Sequence, residues 1–142
     1  MSDMLVQVFA EHPDGEAFVD ETKRLVEYVL NKEERNAEIR VVYVQDEEIQ
    51  ALNKKYLQHD YVTDVISFPL DEENGVVEGE VYVCIDQAKR QAEAHSVPVR
   101  REVSRLVIHG VLHIIGYDDA TPDERSFMQQ KEDEYLEMFE IS

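Results

Sequence analysis

The stretch Leu106-Val107-Ile108-His109-Gly110-Val111-Leu112-His113-Ile114-Ile115, followed by Gly116-Tyr117-Asp118-Asp119, decides how this chain is read. An apolar run of that length reads as a buried helix, and a spacing of four puts His109 and His113 on one face of it. Gly116 ends the helix, and a carboxylate follows within reach of the same point in space. Two imidazoles and one carboxylate, with nothing obvious for a fourth position, form the ligand set of an open, catalytic-type metal site. The alternative is a pair of core histidines, each with its own partner. In Val/Leu/Ile surroundings an unsatisfied ring costs about 1–3 kcal/mol. A shared ion removes that cost for both rings at once, so the metal reading is the stronger one.

Around this segment the composition is that of a globular protein, with 142 residues, 43% hydrophobic and 32% charged. That length predicts one domain spanning 1–142. The longest apolar run is too short for a membrane span, and Met1-Ser2-Asp3-Met4 lacks a signal pattern. The lone cysteine, Cys84, sits in the strand-like Val81–Ile85 and reads as a small buried residue. Together these features predict a cytoplasmic protein. The net charge of -18 argues against a general nucleic-acid binder, because phosphate contacts need lysine and arginine. Its acidic surplus gathers in Asp71-Glu72-Glu73, Glu78, Glu80 and the tail Asp118–Glu140. Basic residues gather at Lys54-Lys55, Lys89-Arg90 and Arg100-Arg101-Arg105. A solvated helix face is the ordinary reading of such a cluster, with a phosphate site as its rival.

Hydrophobic periodicity predicts strands over Met4–Ala10, Glu38–Val44, Val65–Leu70 and Glu78–Ile85, the last two joined by the acidic turn Asp71–Gly75. It predicts helices over Glu16–Glu33, Asp46–Tyr56 with Asp46 as cap, Gln87–His95 capped by Asp86, and Val99–Ile115. Thr121-Pro122-Asp123-Glu124 is a full start signal for a last helix reaching Phe139. The expected fold is α+β, with an α/β-like order. It has one mixed four-stranded sheet covered by about five helices, and the metal site lies on a buried helix.

A second unusual stretch runs from Leu52 to Pro69, through Lys54-Lys55-Tyr56-Leu57-Gln58-His59-Asp60-Tyr61-Val62-Thr63-Asp64 into an apolar strand. Thr63 and Asp64 read as loop-fixing residues. His59 is either a surface histidine or a substrate contact. Together the two stretches resemble the YbeY family of bacterial endoribonucleases, also called rRNA maturation factors. His109-Gly110-Val111-Leu112-His113 and Gly116-Tyr117-Asp118 match the family pattern His-Gly-x-Leu-His and Gly-Tyr-Asp. Leu52, Asn53, Tyr56 and Thr63–Pro69 match its upstream pattern, and Gly79–Val83 looks like its Gly-Asp-Ile strand. The likeness covers nearly the whole chain.

The resemblance implies one divalent ion per chain, expected to be zinc, held by His109, His113 and Asp119. Asp119 occupies the position where the family usually has a third histidine, and a carboxylate is a legitimate zinc ligand. It also widens the choice of metal toward Fe, Mn or Ni. Asp118 is then expected to orient a histidine ring. An open position on the ion would hold an activated water for attack on phosphorus. Gly110 stands where a His-Glu-x-x-His peptidase has its glutamate, which counts against peptide hydrolysis. The arginine that the family carries for RNA cleavage falls on Leu57. Replacement RNA contacts are sought among His59, Lys54, Lys55, Arg100 and Arg101.

The implied function is a metal-dependent, single-strand-specific endoribonuclease of rRNA processing. It acts in late 16S rRNA 3′-end maturation and ribosome quality control. The implied partners are rRNA and the small ribosomal subunit, with ribosomal or assembly proteins as guides. Two other readings are a non-catalytic assembly factor with a structural metal and a metallohydrolase of a non-RNA substrate.

Overall fold

The computed structural model describes residues 4–139 and 141. Met1–Asp3, read above for targeting, and Glu140, in the acidic tail, lie outside the described residues. The elements are Met4–Ala10 (β1), a 3-10 turn Glu16–Phe18, Val19–Lys32 (α1), Asn36–Val44 (β2) and Asp46–Leu57 (α2). Then come Val65–Glu73 (β3), Val76–Cys84 (β4), Ile85–Ala94 (α3), Val99–Ile114 (α4) and Pro122–Met138 (α5). One four-stranded sheet has the order β1-β2-β4-β3. Pairs β1–β2 and β2–β4 are parallel, and β3 returns antiparallel on the edge. The fold is therefore the expected mixed-sheet α+β arrangement. Among the described residues, no helix is long and apolar enough to cross a membrane.

Alternation decides which face each strand residue joins. Val6, Ile39, Val41, Tyr43, Val77, Val81 and Val83 point into a core shared with α1, α4 and α5. The opposite face is covered at one end by α2, where Val42, Val44, Ile49, Ile66 and Cys84 pack together. Burial pushes the Cys84 thiol up to about 12, which leaves it the small buried residue expected.

Three local expectations are corrected. The hairpin turn is Asn74-Gly75 alone, both at positive φ (53° and 78°), the signature of a tight two-residue hairpin. Asp71, Glu72 and Glu73 are strand residues, paired after a bulge at Leu70 that follows Pro69. Asp46 and Asp86 lie inside their helices rather than capping them. Gln45 precedes α2, its backbone N–H donating to Glu48 Oε1 at 3.1 Å, and Cys84 precedes α3. Asp86 is used elsewhere: its two oxygens accept from the Asp46 backbone N–H (3.0 Å) and from His12 Nε2 (2.8 Å). The capping box at Thr121 is present as read, Thr121 Oγ1 accepting from Glu124 N and Glu124 Oε1 from Thr121 N.

Candidate metal centre

Helix α4 runs through the middle of the core, and ten of its residues are buried. It lies unusually close to the sheet at two glycines. A Cβ on Gly110 would stand 2.5 Å from Val81 Cγ1, and one on Gly79 would stand 2.6 Å from Ile114 Cδ1. Gly110 thus has a packing reason, reinforced by Ser67 Oγ, which donates to its carbonyl at 3.2 Å. Because the helix is seated so tightly, the face bearing His109 and His113 is held at a set height above β3.

The helix ends in a Schellman motif. Tyr117 N–H donates to the Leu112 carbonyl at 2.9 Å and Gly116 N–H to the His113 carbonyl at 3.1 Å. Gly116 has φ +116°, which an L side chain rarely adopts. The turn sends the chain back over the histidines and delivers Asp119. Its Oδ2 lies 3.3 Å from His109 Nε2 and its Oδ1 lies 3.2 Å from His113 Nε2. The two rings are 4.8 Å apart between centroids, inclined at 72°. All three donor groups fall within 4.8 Å of one another. Two imidazole nitrogens and a carboxylate oxygen converging on one point, each only partly buried, fit a divalent ion with a position left for solvent or substrate.

Helix α5 supplies a residue that the sequence reading missed. Glu132, buried, accepts from His109 Nδ1 at 2.6 Å through Oε2, and Oε1 takes Arg105 Nη1 at 3.2 Å. Arg105 also binds the buried Glu102, at 2.6 Å and 3.0 Å. Burial works against a charged His109. The hydrogen bond and charge of Glu132, with Asp119 and Asp64, outweigh it and hold the His109 pKa above the ordinary histidine value. Asp118, expected in the orienting role, is exposed and lines the cleft instead, bonded to neither histidine. The signal for Glu132 was a lone carboxylate in helical register with Met128, Tyr135 and Leu136.

The centre opens into a cleft of about 460 Å³ walled by Leu57, Asp64, Val65, Ile66, Ser67 and Pro69 opposite the ligand side. Asp64 fixes the loop leading into β3: its Oδ1 accepts from Val65 N–H at 2.7 Å, and its carbonyl accepts from Cys84 N–H at 2.9 Å.

The YbeY family model, described as endoribonuclease YbeY, matches residues 9–140. The chain belongs to the YbeY endoribonuclease family. It is 44% identical over 115 residues to endoribonuclease YbeY of Chlorobium luteolum, covering 80% of this chain and 83% of that one. To the Salinibacter ruber protein of the same name it is 36% identical over 135 residues, 89% and 86% of the two chains. The solution structure of TM1509 from Thermotoga maritima superposes with a TM-score of 0.73 at 30% identity, over 95% of this chain and 89% of that one.

Leu57, where the resemblance leads one to expect an arginine, falls in the cleft wall itself. Among the described residues, no lysine or arginine lines that cleft. Arg100 grips Glu21, with Nε–Oε1 at 2.8 Å and Nη2–Oε2 at 2.6 Å, and Arg101 donates to the Ile141 carbonyl at 2.9 Å. Arg100 thus ties α4 to α1 and Arg101 ties α4 to the segment after α5, and neither lines the cleft. Lys54, Lys55 and His59 are exposed at the end of α2, next to Leu57.

Proposed function

We propose that the chain is a zinc-dependent, single-strand-specific endoribonuclease of the cytoplasm. It would act on the rRNA of the small subunit, in late 16S 3′-end maturation and ribosome quality control. The observation that carries this reading is the convergence of His109, His113 and Asp119 at the floor of an open cleft, in a chain of this family. A bound divalent ion supplies Lewis-acid polarisation of a phosphoryl oxygen and lowers the pKa of water.

The chain's own residues do the positioning. Glu132 takes the proton side of the His109 ring, which leaves Nε2 to the ion. Asp119, 3.3 Å from His109 and 3.2 Å from His113, would add a negative charge to the ligand set of such an ion. The apolar wall of Leu57, Val65, Ile66 and Pro69 limits water around a bound strand. Gly110 leaves no glutamate between the histidines, so peptide hydrolysis is disfavoured. Basic ribosomal or assembly proteins would help an acidic chain reach RNA.

Leu57 favours one second reading, an assembly factor that keeps the ion for structure and has lost cleavage, since among the described residues no lysine or arginine in the cleft replaces the arginine that the resemblance implies. Cleavage of single-stranded and duplex rRNA oligomers by the metal-loaded protein, against His113→Ala and a chelated sample, separates the two. Single-strand cleavage lost in both controls supports the enzyme. Metal binding without cleavage supports the assembly factor, and cleavage indifferent to chelator overturns both.

A further inference from the structure

The end of α2 and the loop behind it form a surface that neither the core nor the metal centre explains. Tyr56 and Tyr61 are 51% and 53% exposed, and Leu57 is 43% exposed. The His59 ring lies tilted on Tyr61, with centroids 5.3 Å apart and 33° between planes. Exposed aromatic rings grouped on one surface, unlike ones scattered singly, mark interaction sites. The backbone that displays them is firmly held. The buried Asn53 donates Nδ2 to the Tyr61 carbonyl at 3.0 Å, and its own carbonyl accepts from His59 N–H at 3.2 Å. Gln50 Nε2 adds a bond to Asp60 Oδ1 at 3.0 Å.

The surface is continuous with the cleft. Leu57 belongs to both. The Tyr56 ring packs edge-on against Phe68, 5.3 Å between centroids, on the α2 face of the edge strand β3, whose residues Val65 to Ser67 and Pro69 line the cleft. Charge narrows what could bind here. With a net charge of -18, no lysine or arginine lining the cleft among the described residues, and Arg100 and Arg101 held by internal partners, phosphate neutralisation by side chains contributes little. Base stacking does not need that charge, because every base has a π-face. Lys55, whose Nζ lies 5.2 Å from the Tyr56 ring centre, adds a local cation only.

We propose that Tyr61 with its stacked His59, together with Tyr56, is a platform on which unpaired bases flanking the scissile bond stack, so that affinity rests on stacking more than on phosphate contacts. This rests on the endoribonuclease reading and narrows its substrate to RNA whose bases are unpaired beside the cleavage site. A duplex hides the base faces the platform would read.

The chain contains no tryptophan, so Tyr61→Trp places a single reporter on the platform. Single-stranded oligoribonucleotide should quench that fluorescence in the metal-loaded protein, and duplex RNA of the same sequence should not. Tyr61→Ala should weaken single-strand binding about tenfold or more, and Tyr61→Phe should restore it, with metal content unchanged throughout. Plotted against salt, Tyr61→Ala should give a line parallel to wild type. A Lys54/Lys55 double alanine change should flatten the slope by up to about 1.4. Equal affinity of wild type and Tyr61→Ala, or equal quenching by duplex, overturns the platform while leaving the endoribonuclease reading intact. A wild-type protein that neither binds nor cleaves single-stranded RNA overturns both.

Discussion

Glu132 on α5 accepts a hydrogen bond from His109 Nδ1 on α4 at 2.6 Å, across 23 residues of sequence. A carboxylate oxygen only accepts, so Nδ1 is the protonated nitrogen and Nε2 is turned toward Asp119. Glu132 is itself anchored by Arg105, and Arg105 by Glu102, which accepts from Gln91 Nε2 at 2.7 Å. The metal face of α4 is therefore tied through buried charge to both α5 and α3. A group that fixes ring tautomer and orientation in this way commonly governs metal affinity as strongly as a ligand does.

Glu132→Gln keeps an acceptor but removes the charge, and it should weaken zinc binding roughly 10- to 100-fold while the fold survives. Competition against a chromophoric chelator measures this directly. Glu132→Ala should in addition cost about 3 kcal/mol in urea unfolding, because Arg105 then loses one of its two buried partners. Unchanged zinc affinity in Glu132→Gln would show that the ring needs no orienting group.

The two adjacent aspartates should behave differently. Asp119 touches both histidines, whereas Asp118 is exposed on the cleft rim. Asp119→Ala should abolish stoichiometric metal at micromolar zinc, and Asp118→Ala should retain one ion per chain. Elemental analysis after gel filtration decides it. The reverse order of damage would assign the carboxylate ligand to Asp118.

Zinc stabilisation should grow with pH. In the metal-free protein the His109 pKa is raised, so its folding contribution is fully present below the unfolded histidine value of about 6.5 and is lost as pH rises through the folded pKa. Metal binding needs the neutral ring, so protons compete with zinc over that same window. The gap between metal-loaded and chelated melting temperatures should widen from about pH 6 to about pH 8. A gap that stays constant across this range would count against His109 as a ligand.

Gly110→Ala should destabilise the protein although alanine is the better helix former. The gain in helix propensity is about 1 kcal/mol at most. Against it stands a Cβ placed 2.5 Å from Val81 Cγ1, where overpacking costs about 1–3 kcal/mol. Denaturant unfolding should show a net loss, with reduced metal affinity as α4 lifts off β4. A more stable variant would mean that α4 has slack above the sheet.

What could be read from the sequence was governed by short-range geometry. The spacing of His109 and His113 puts them on one face of any helix, Gly116 stops that helix by a backbone angle few other residues reach, and Thr121-Pro122-Asp123-Glu124 starts the next one through its own side chains. Each depends on residues within a turn or two, so no tertiary contact was needed to see it. The mixed sheet followed in the same way from strand alternation and element order. Other features were decided only when the elements docked. Glu132 reached His109 because α5 crosses α4 with that face inward. Arg100 closed on Glu21 because α1 lies beside the start of α4, and Asp86 was drawn from its own helix start to Asp46 and His12. These bonds join residues 23 to 79 positions apart, and such pairings depend on how apolar faces pack against one another rather than on local pattern. The sequence alone therefore determined which three donor groups would converge, and the packing of helices on the sheet decided which buried charges would hold them there.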